Sequence, residues 1–233
     1  LHQLEESARK TASGERTAGL VAADTNVSAR LEPSKTDGSI DLVLAVSNQA
    51  RIRAAVVFAE RLFEGESIAA CPKESRSELR VPLQPQKDVA AELDIKVVVG
   101  GRNLPHAHVF ELSYSLPKFC MHVPVKRGSA RAPAAGVSCS VAARADAVAG
   151  WLQRAFGSDA RELLEHTELD AQLVSLRSMQ PLAVRFAPDA KGGGGVLRVL
   201  TDDMDLAGEI VQDFCAALGL SELETIAEFP EAM

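Results

Sequence analysis

A dense group of carboxylates lies in the stretch LTDDMDLAGEIVQDFCAALGL, which spans residues 200–220. Its five acidic residues fall within twelve positions and are Asp202, Asp203, Asp205, Glu209 and Asp213. Carboxylate oxygens are the ligands that magnesium prefers, and a pair of carboxylates can also divide the roles of general acid and general base. The stretch therefore poses a choice between a chemical site and the front of a helix.

The apolar residues of the same stretch favour a helix. They recur at helical spacing and form one broad stripe, which consists of Leu206, Ala207, Ile210, Val211, Phe214 and Leu218. This spacing turns the polar positions outward, namely Asp205, Glu209, Gln212 and Asp213. Thr201 or Asp202 fits the N-cap, and the helix macrodipole favours Asp203 and Asp205 in the first turn. We predict a capped core helix, because a metal site would need carboxylates from another element.

Three histidines offer a second possible site. His106 and His108 are two residues apart, so on a strand they share one face, and His122 could lie on a neighbouring strand. Three imidazoles would suit zinc, although no spacing fixes their distances. Together with the acidic helix they define a metal-dependent hydrolase as one alternative. The glycine run 192–195 precedes a predicted strand and follows Lys191, so it predicts a hairpin tip instead of a phosphate loop.

Other patterns for catalysis are missing from the sequence. It contains no GxSxG elbow, no HExxH motif and no cysteine beside a plausible histidine base. The four cysteines, at positions 71, 120, 139 and 215, form no CxxC pair and predict unpaired thiols. We therefore assign no catalytic residue, no metal ligand and no cofactor.

Composition excludes several classes of protein. The chain has 233 residues, 46% hydrophobic and 24% charged, which is typical of a globular protein. A net charge of −7 with scattered Lys and Arg argues against nucleic-acid binding. No apolar run approaches the roughly 20 residues of a membrane helix, and no leader peptide is evident. Because the chain begins at Leu1, we expect it to be a fragment.

The chain divides into four segments. Residues 1–19 place Leu1, Leu4 and Ala8 at coiled-coil spacing, which indicates either the end of a partner-binding helix or a helix frayed by truncation. Residues 20–124 have a period of two and about seven short strands, including SIDLVLAVS, ELDIKVVVG and KFCMHV. Residues 125–136 are rich in Ala, Pro and Gly and predict a linker.

Residues 137–233 mix helical and strand patterns. A helix is expected from about 144 to 156, and the acidic helix follows later. Strands are expected at VSCSVA, QLVSLRS, LAVRFA, VLRVLT and LETIAEF. The predicted fold is thus a short N-terminal helix, an immunoglobulin-like β-sandwich and an α+β domain with two helices against one antiparallel sheet.

Trp151 is the only tryptophan of the chain. A turn of about 100° per residue places it at the flank of a buried helical stripe formed by Val148, Leu152, Ala155 and Phe156. One interpretation places the indole in the core. The other places it on the floor of a groove for a peptide, since indoles are favoured anchors at interfaces. With Leu1, Leu4 and Ala8 it completes the predicted partner-binding residues.

The order of segments resembles the ear and platform domains of vesicle-coat adaptor appendages. Particular strings resemble the Bardet-Biedl syndrome 2 family of BBSome subunits, from about Val27 to Pro230: RAAVVFAERLFEGES, VPLQPQKDV, HVFELSYSLPKF, LTDDMDLAGEIVQDF and AEFP. The segment GSDARELLEHTELDA and the glycine run depart from that pattern. The resemblance implies that the propeller and most of the coiled coil of the family would precede Leu1, and that its C-terminal hairpin would follow Met233.

The resemblance implies an adaptin-ear type sandwich followed by a platform domain, with no catalysis. It implies a structural subunit of the BBSome, a coat-like cargo adaptor that carries membrane proteins to and from cilia with the intraflagellar transport machinery. Implied partners are other BBSome subunits, especially the paralogous Bardet-Biedl syndrome 7 protein, ciliary membrane cargo, and an Arf-like GTPase that links the complex to membrane. Implied locations are the cilium, ciliary membrane, basal body and cytoplasm. A peptide-binding appendage of another vesicle-coat adaptor is the main alternative.

Overall fold

The protein is described by a computed structural model that covers residues 21–34, 38–63, 65–101, 106–126, 128, 133–157, 164–165, 168–190 and 193–229. The predicted coiled-coil positions Leu1, Leu4 and Ala8 lie outside these residues. The described chain forms two compact units. The first is made from 21–32, 41–84 and 91–115, and the second from 33–40, 85–90 and 116–229.

The first unit is built from seven strands in two sheets. One sheet has the order β1-β2-β5 and the other β4-β3-β6-β7, and β3 runs antiparallel to both β4 and β6. The strands are β1 (Val27–Pro33), β2 (Ile40–Val46), β3 (Arg51–Phe63), β4 (Gly65–Ala70), β5 (Glu78–Leu83), β6 (Ala91–Gly100) and β7 (Ala107–Leu116).

Alternation of apolar and polar residues explains this sandwich. In β6 the residues Leu93, Ile95, Val97 and Val99 are all buried, as the period of two predicts. In β5 the alternate positions Leu79, Val81 and Leu83 are buried as well. Side chains on one face of β5 and of β6 thus supply the core, whereas β2 is buried at five consecutive positions. The predicted ear-like β-sandwich is confirmed.

The membership of the seven strands differs from the prediction at two places. Strand β4 (Gly65–Ala70) is not among the strands predicted from the sequence, and it forms a tight hairpin with β3 in which Phe63 pairs with Gly65. Gly65 has a φ of 104°, a conformation open mainly to glycine. The string KFCMHV, expected as a sandwich strand, instead contributes β8 (His122–Pro124) to the sheet of the second unit, where it pairs with a later strand.

Within its described residues, the second unit consists of one antiparallel sheet and two helices. The sheet has the order β10-β11-β12-β13-β9-β14, with β8 also paired to β11, and its paired strands run antiparallel. Its elements after β8 are β9 (Gly136–Val141), α1 (Ala145–Phe156), β10 (Leu164–Glu165), β11 (Glu168–Ser175), β12 (Pro181–Pro188), β13 (Gly195–Leu200), α2 (Met204–Leu218) and β14 (Glu224–Glu228). The predicted α+β platform fold is confirmed. No helix in these described ranges has the length and apolar character needed to cross a bilayer.

The start of the second unit lies earlier than the predicted boundary at residue 124. Phe119 is fully buried in its core, together with residues of both helices. The backbone N–H of Val125 donates to the carbonyl of Gln172 on β11 at 2.9 Å. Part of the predicted linker 125–136 is therefore tied to the sheet, and the described chain passes into β9 at Gly136.

Close backbone approach accounts for two glycines of the sheet. A Cβ at Gly136 would lie 2.3 Å from the carbonyl oxygen of Val199 on β13, and one at Gly195 would lie 2.4 Å from that of Ala187 on β12. Real Cβ contacts are longer, so neither position accepts a side chain without moving a strand. Gly195 ends the glycine run and pairs with Pro188, so the described part of the run lies in the β12–β13 hairpin as predicted.

Candidate functional site

The acidic stretch begins helix α2. Asp203 is its N-cap, and the Asp203 Oδ1 accepts from the backbone N–H of Leu206 at 3.0 Å. Thr201 is buried, and its Oγ1 accepts from the N–H of Asp203 at 3.2 Å. The predicted cap at Thr201 or Asp202 is therefore wrong by one or two residues, because Thr201 supports the turn that presents Asp203.

The apolar face of α2 matches the predicted stripe. Ala207, Ile210 and Phe214 are fully buried in the core of the second unit. Asp205 and Glu209 are exposed, as predicted. Asp213 is the exception, since it is only partly exposed and has a specific partner on α1.

That partner is Trp151. Its Nε1–H donates to Asp213 Oδ2 at 2.9 Å, and its side chain is only 1% exposed. The indole meets the ring of Phe214 edge-on with centroids 4.9 Å apart, and that of Phe156 edge-on at 6.1 Å. Such T-shaped contacts add to the hydrophobic gain of burial. Trp151 therefore connects α1 to α2 in two ways, by its hydrogen bond to Asp213 and by its ring contact with Phe214.

Of the two interpretations of Trp151, the structure shows the core. A peptide groove needs an exposed indole, and this one is enclosed. As a direct partner contact Trp151 stays a prediction that would require α1 and α2 to separate. No spacing in the sequence joins Trp151 to Asp213, because they are 62 positions apart, so the outward assignment of Asp213 missed their pairing.

The histidines differ in their surroundings. His106 and His108 are exposed at the start of β7, whereas His122 is 3% exposed on β8. Among the described residues, no three His, Cys, Asp or Glu side chains are grouped so that they could hold a metal ion. The arrangement required by the metal-dependent hydrolase is therefore not found in that part of the chain.

A polar cavity of about 300 Å³ lies at the N-terminus of α2 and reaches His122. At its wall Arg177, in the turn between β11 and β12, forms an ion pair with Asp88 and donates from Nε to the carbonyl of Pro85 at 3.0 Å. The Asp88 side chain is 10% exposed and that of Arg177 30%. These contacts fix the segment 85–90 against the sheet of the second unit.

Burial controls the charge of His122. Removal from water lowers the pKa of its imidazole, the nearby guanidinium of Arg177 acts in the same direction, and Asp88 and Asp203 oppose them. The ring is therefore neutral at pH 7. Its Nδ1 has no hydrogen-bond partner among the described residues.

The thiols in this unit are shielded. Burial raises the pKa of Cys120 to about 12 and, with Cys215 nearby, that of Cys139 to about 11. A thiol is nucleophilic only as the thiolate. Neither buried cysteine is therefore prepared for nucleophilic catalysis, and all four cysteines are free.

The polar side chains of the first unit form an exposed network on the β1-β2-β5 sheet. Arg30 binds Glu78 at 2.8 Å and Glu32 at 2.8 Å, and Arg80 binds Glu32 at 2.7 Å and Glu78 at 3.0 Å. Arg80 and then Arg30 lower the pKa of Glu32, and Arg30 is the main cause of the lowered pKa of Glu78. The network joins β1 to β5 across the intervening strand β2 on a solvated face.

Comparison with protein families accounts for both units. A family model of the BBS2 GAE domain matches residues 34–119, and a model of the BBS2 platform domain matches residues 121–218. The chain belongs to the BBS2 family. The two BBS2 matches meet near residue 120, close to residue 116 where the continuous part of the second unit begins.

Individual BBS2 relatives agree with this assignment. BBSome complex member BBS2 of Rattus norvegicus is 33% identical over 218 residues, which cover 91% of this chain and 30% of the relative. The Danio rerio protein of the same name is 30% identical over 249 residues, covering 99% and 32%. BBSome complex member bbs-2 of Caenorhabditis elegans is 28% identical over 200 residues, covering 82% and 28%. The chain thus spans about a third of the length of the BBS2 relatives it matches.

Proposed function

We propose that this chain is the ear and platform portion of a non-catalytic BBSome subunit. The observation that carries the proposal is the ordered match of both BBS2 domains, supported by relatives that are named as BBSome complex members. The finer role is a coat-like cargo adaptor that moves membrane proteins to and from cilia. Its expected locations are the cilium, the ciliary membrane as a peripheral protein, the basal body and the cytoplasm.

Side-chain roles in the second unit support a scaffold. Two of the five carboxylates that first suggested chemistry have structural roles: Asp203 caps α2 and Asp213 accepts from the buried indole of Trp151. The histidine that is buried there, His122, is held neutral by its surroundings. These residues stabilise a helix pair on a sheet, as a subunit that presents surfaces to partners requires.

The test is the composition of the complex formed by the full-length protein that contains this chain. We expect a tagged copy, purified from ciliated cells of its own species, to bring down the other BBSome members in comparable amounts. Recovery of the tagged protein as a monomer, with those members absent, would overturn the proposal.

Pairing with the paralogous Bardet-Biedl syndrome 7 protein is the expected partner contact, through the helix predicted from the sequence of residues 1–19. The double variant Leu1→Glu with Leu4→Glu places charge in the predicted seam and should reduce recovery of that paralogue by about tenfold or more. The variant Gln3→Glu is the control, because it adds charge off the seam. Equal recovery from seam variant and control would exclude this contact. The same purification tests the other expected partners, which are ciliary membrane cargo and the Arf-like GTPase.

A further inference from the structure

Strand β3 carries apolar residues on a face that the core of the first unit does not use. Alternate residues of the strand point into the sandwich and are buried, namely Ala55, Val57 and Ala59. The remaining residues of this stretch, Ala54, Val56 and Phe58, therefore lie on the outer face. Phe58 is 39% exposed, and the other two are partly exposed. A sheet face in contact with water is ordinarily polar, so the packing of the sandwich does not explain these three residues, the β3 stripe.

The neighbouring strands widen the β3 stripe. Val56 pairs with Ala69 on β4, which is exposed, and Ala54 pairs with Val98 on β6, which is partly exposed. Apolar side chains on three adjacent strands thus share one face. A continuous apolar patch on a sheet face is typical of a surface that another molecule covers.

Side-chain contacts place β7 on the same face. Lys96 Nζ lies 3.1 Å from Glu111 Oε1, and Ser113 Oγ donates to Asp94 Oδ1 at 3.3 Å. Together with the side chain of Phe58, these four residues line a depression of about 650 Å³, a volume within the range of binding pockets. The β3 stripe therefore borders a depression with room for the side chains of a partner.

The side of the β3 stripe that faces β6 and β7 is acidic. Lys96 is paired with Glu111, whereas Glu92 and Asp94 accept from serine hydroxyls of β7 and form no ion pair within the described chain. On the β4 side, the paired residue Ser67 carries no charge. A partner therefore meets net negative charge on one flank only, which favours Lys or Arg at that border.

A helix suits the β3 stripe better than an added strand. Strand β3 is hydrogen-bonded to β4 on one side and to β6 on the other, so its main-chain groups are already in use. Side chains alone can therefore cover it. Residues two apart in a strand lie about 7 Å from each other, and residues four apart in a helix rise by about 6 Å. Apolar residues at helix positions i, i+4 and i+8 can thus follow Ala54, Val56 and Phe58.

We propose that the β3 stripe binds an amphipathic helix of a protein partner, with Lys or Arg along the border that faces β6. Phe58 supplies the largest contact, and Asp94, which is paired with it across the strands, supplies the charge beside it. A second copy of this chain fits poorly, because the carboxylates of both copies would meet in one interface and the chain has a net charge of −7. The proposal goes beyond the assignment as a BBSome subunit and holds or fails independently of it.

Titration of the 233-residue chain with a designed amphipathic peptide tests this surface. The peptide has about 15 residues, enough for about four helical turns, with leucine on one face, lysine along both borders and alanine elsewhere. Amide signals of Ala54, Val56 and Phe58, measured by NMR, should shift saturably with a Kd on the order of 100 μM. A peptide of the same pattern with glutamate in place of lysine should bind at least about tenfold more weakly, since like charges would meet at β6.

Matched variants separate the apolar and the charged parts of the contact. Phe58→Ser should weaken binding of the lysine peptide by about tenfold, whereas Val196→Ser, at a residue 36% exposed on β13, should leave it unchanged. Glu92→Gln with Asp94→Asn should narrow the difference in affinity between the lysine and glutamate peptides to less than about threefold. Amide spectra of each variant show that the fold is kept.

The proposal is overturned by equal binding of the lysine and glutamate peptides to the unchanged chain, by an unaffected Phe58→Ser variant, or by no saturable shift below about 2 mM peptide. Two further outcomes would show a different occupant and would also overturn it. Self-association of the chain, measured by sedimentation and abolished by Phe58→Ser, would show that a second copy covers the β3 stripe. Shifts confined to β7, with its amides protected from hydrogen exchange by the peptide, would show addition of a strand at that edge.

Discussion

The two units use their polar residues in opposite ways. In the first unit, Arg30, Glu32, Glu78 and Arg80 pair on a solvated sheet face, and the interior is supplied by apolar alternation. In the second unit, Trp151 and His122 carry polar atoms into the interior. An exposed ion pair is screened by water and contributes little to stability, whereas a buried polar group left without its partner costs about 1–3 kcal/mol. Removal of one polar partner should therefore destabilise the second unit more than the first.

The largest expected difference in stability between the units comes from truncating one phenylalanine in each. Phe214→Ala removes a fully buried ring that contacts Trp151 and should lower the free energy of unfolding of the second unit by about 4 kcal/mol. Phe58 is 39% exposed on β3, so Phe58→Ala should cost the first unit about 1 kcal/mol. Urea unfolding followed by the amide NMR signals of each unit measures both. Similar losses from the two variants would contradict the comparison.

The next largest effect concerns the acceptor of the indole. Asp213→Ala leaves the Trp151 Nε1–H buried without a partner and should destabilise the second unit by about 2 kcal/mol. Asp213→Asn keeps a carbonyl oxygen at the same place and should cost less than half as much. Thermal unfolding followed by circular dichroism compares the stabilities of the two variants. If the two substitutions lower stability equally, the hydrogen bond to Trp151 does not account for the contribution of Asp213 to stability.

The cap of α2 gives a smaller effect that separates adjacent acids. Asp203→Ala removes the side chain that accepts from Leu206 N–H and should cost about 1 kcal/mol. Asp202→Ala, one residue earlier, changes an exposed side chain outside the cap and should stay within about 0.5 kcal/mol. The same thermal measurement applies. The double variant should show lower stability that is mainly due to Asp203.

Acid should affect the units in different pH windows. The folded-state pKa of His122 is lowered below its usual 6.5, so the unfolded chain takes up its proton first and the second unit loses stability as pH falls below about 6.5. The folded-state pKa values of Glu32 and Glu78 are lowered below 4.5, so their contribution is complete above 4.5 and is lost only in stronger acid.

Urea midpoints of each unit at pH 7.5 and pH 5.5 test this difference. The midpoint of the second unit should fall, and that of the first should hold. His122→Leu is the control, because it removes the titrating ring and should flatten the pH dependence of the second unit. A first-unit midpoint that falls equally would show that His122 does not set the difference.

Much of the fold follows from local periodicity. The alternation in β6 and the stripe on α2 each bury several side chains at once, so their pattern survives in the sequence. The assignment of KFCMHV failed because a three-residue strand such as His122–Pro124 has the same local pattern in either sheet. Only the packing of Phe119 into the second core decides between them.

The candidate site was less predictable for a physical reason. The acidic residues of α2 could be identified from the sequence. Which of them is the N-cap depends on the backbone angles at Asp203, which Thr201 helps to set. The partners of Asp213 and Arg177 lie 62 and 89 positions away along the chain. Such contacts depend on tertiary folding, and no spacing rule records them.

The single tryptophan of the chain also provides an intrinsic fluorescence probe. Trp151 lies in the interior of the second unit against Phe214, and no other residue of the chain emits as an indole. Its fluorescence therefore belongs to one unit alone and should shift to longer wavelength if water enters between α1 and α2. A partner that separates those helices should shift the emission wavelength of the unlabelled protein. A partner that binds elsewhere should leave that wavelength unchanged.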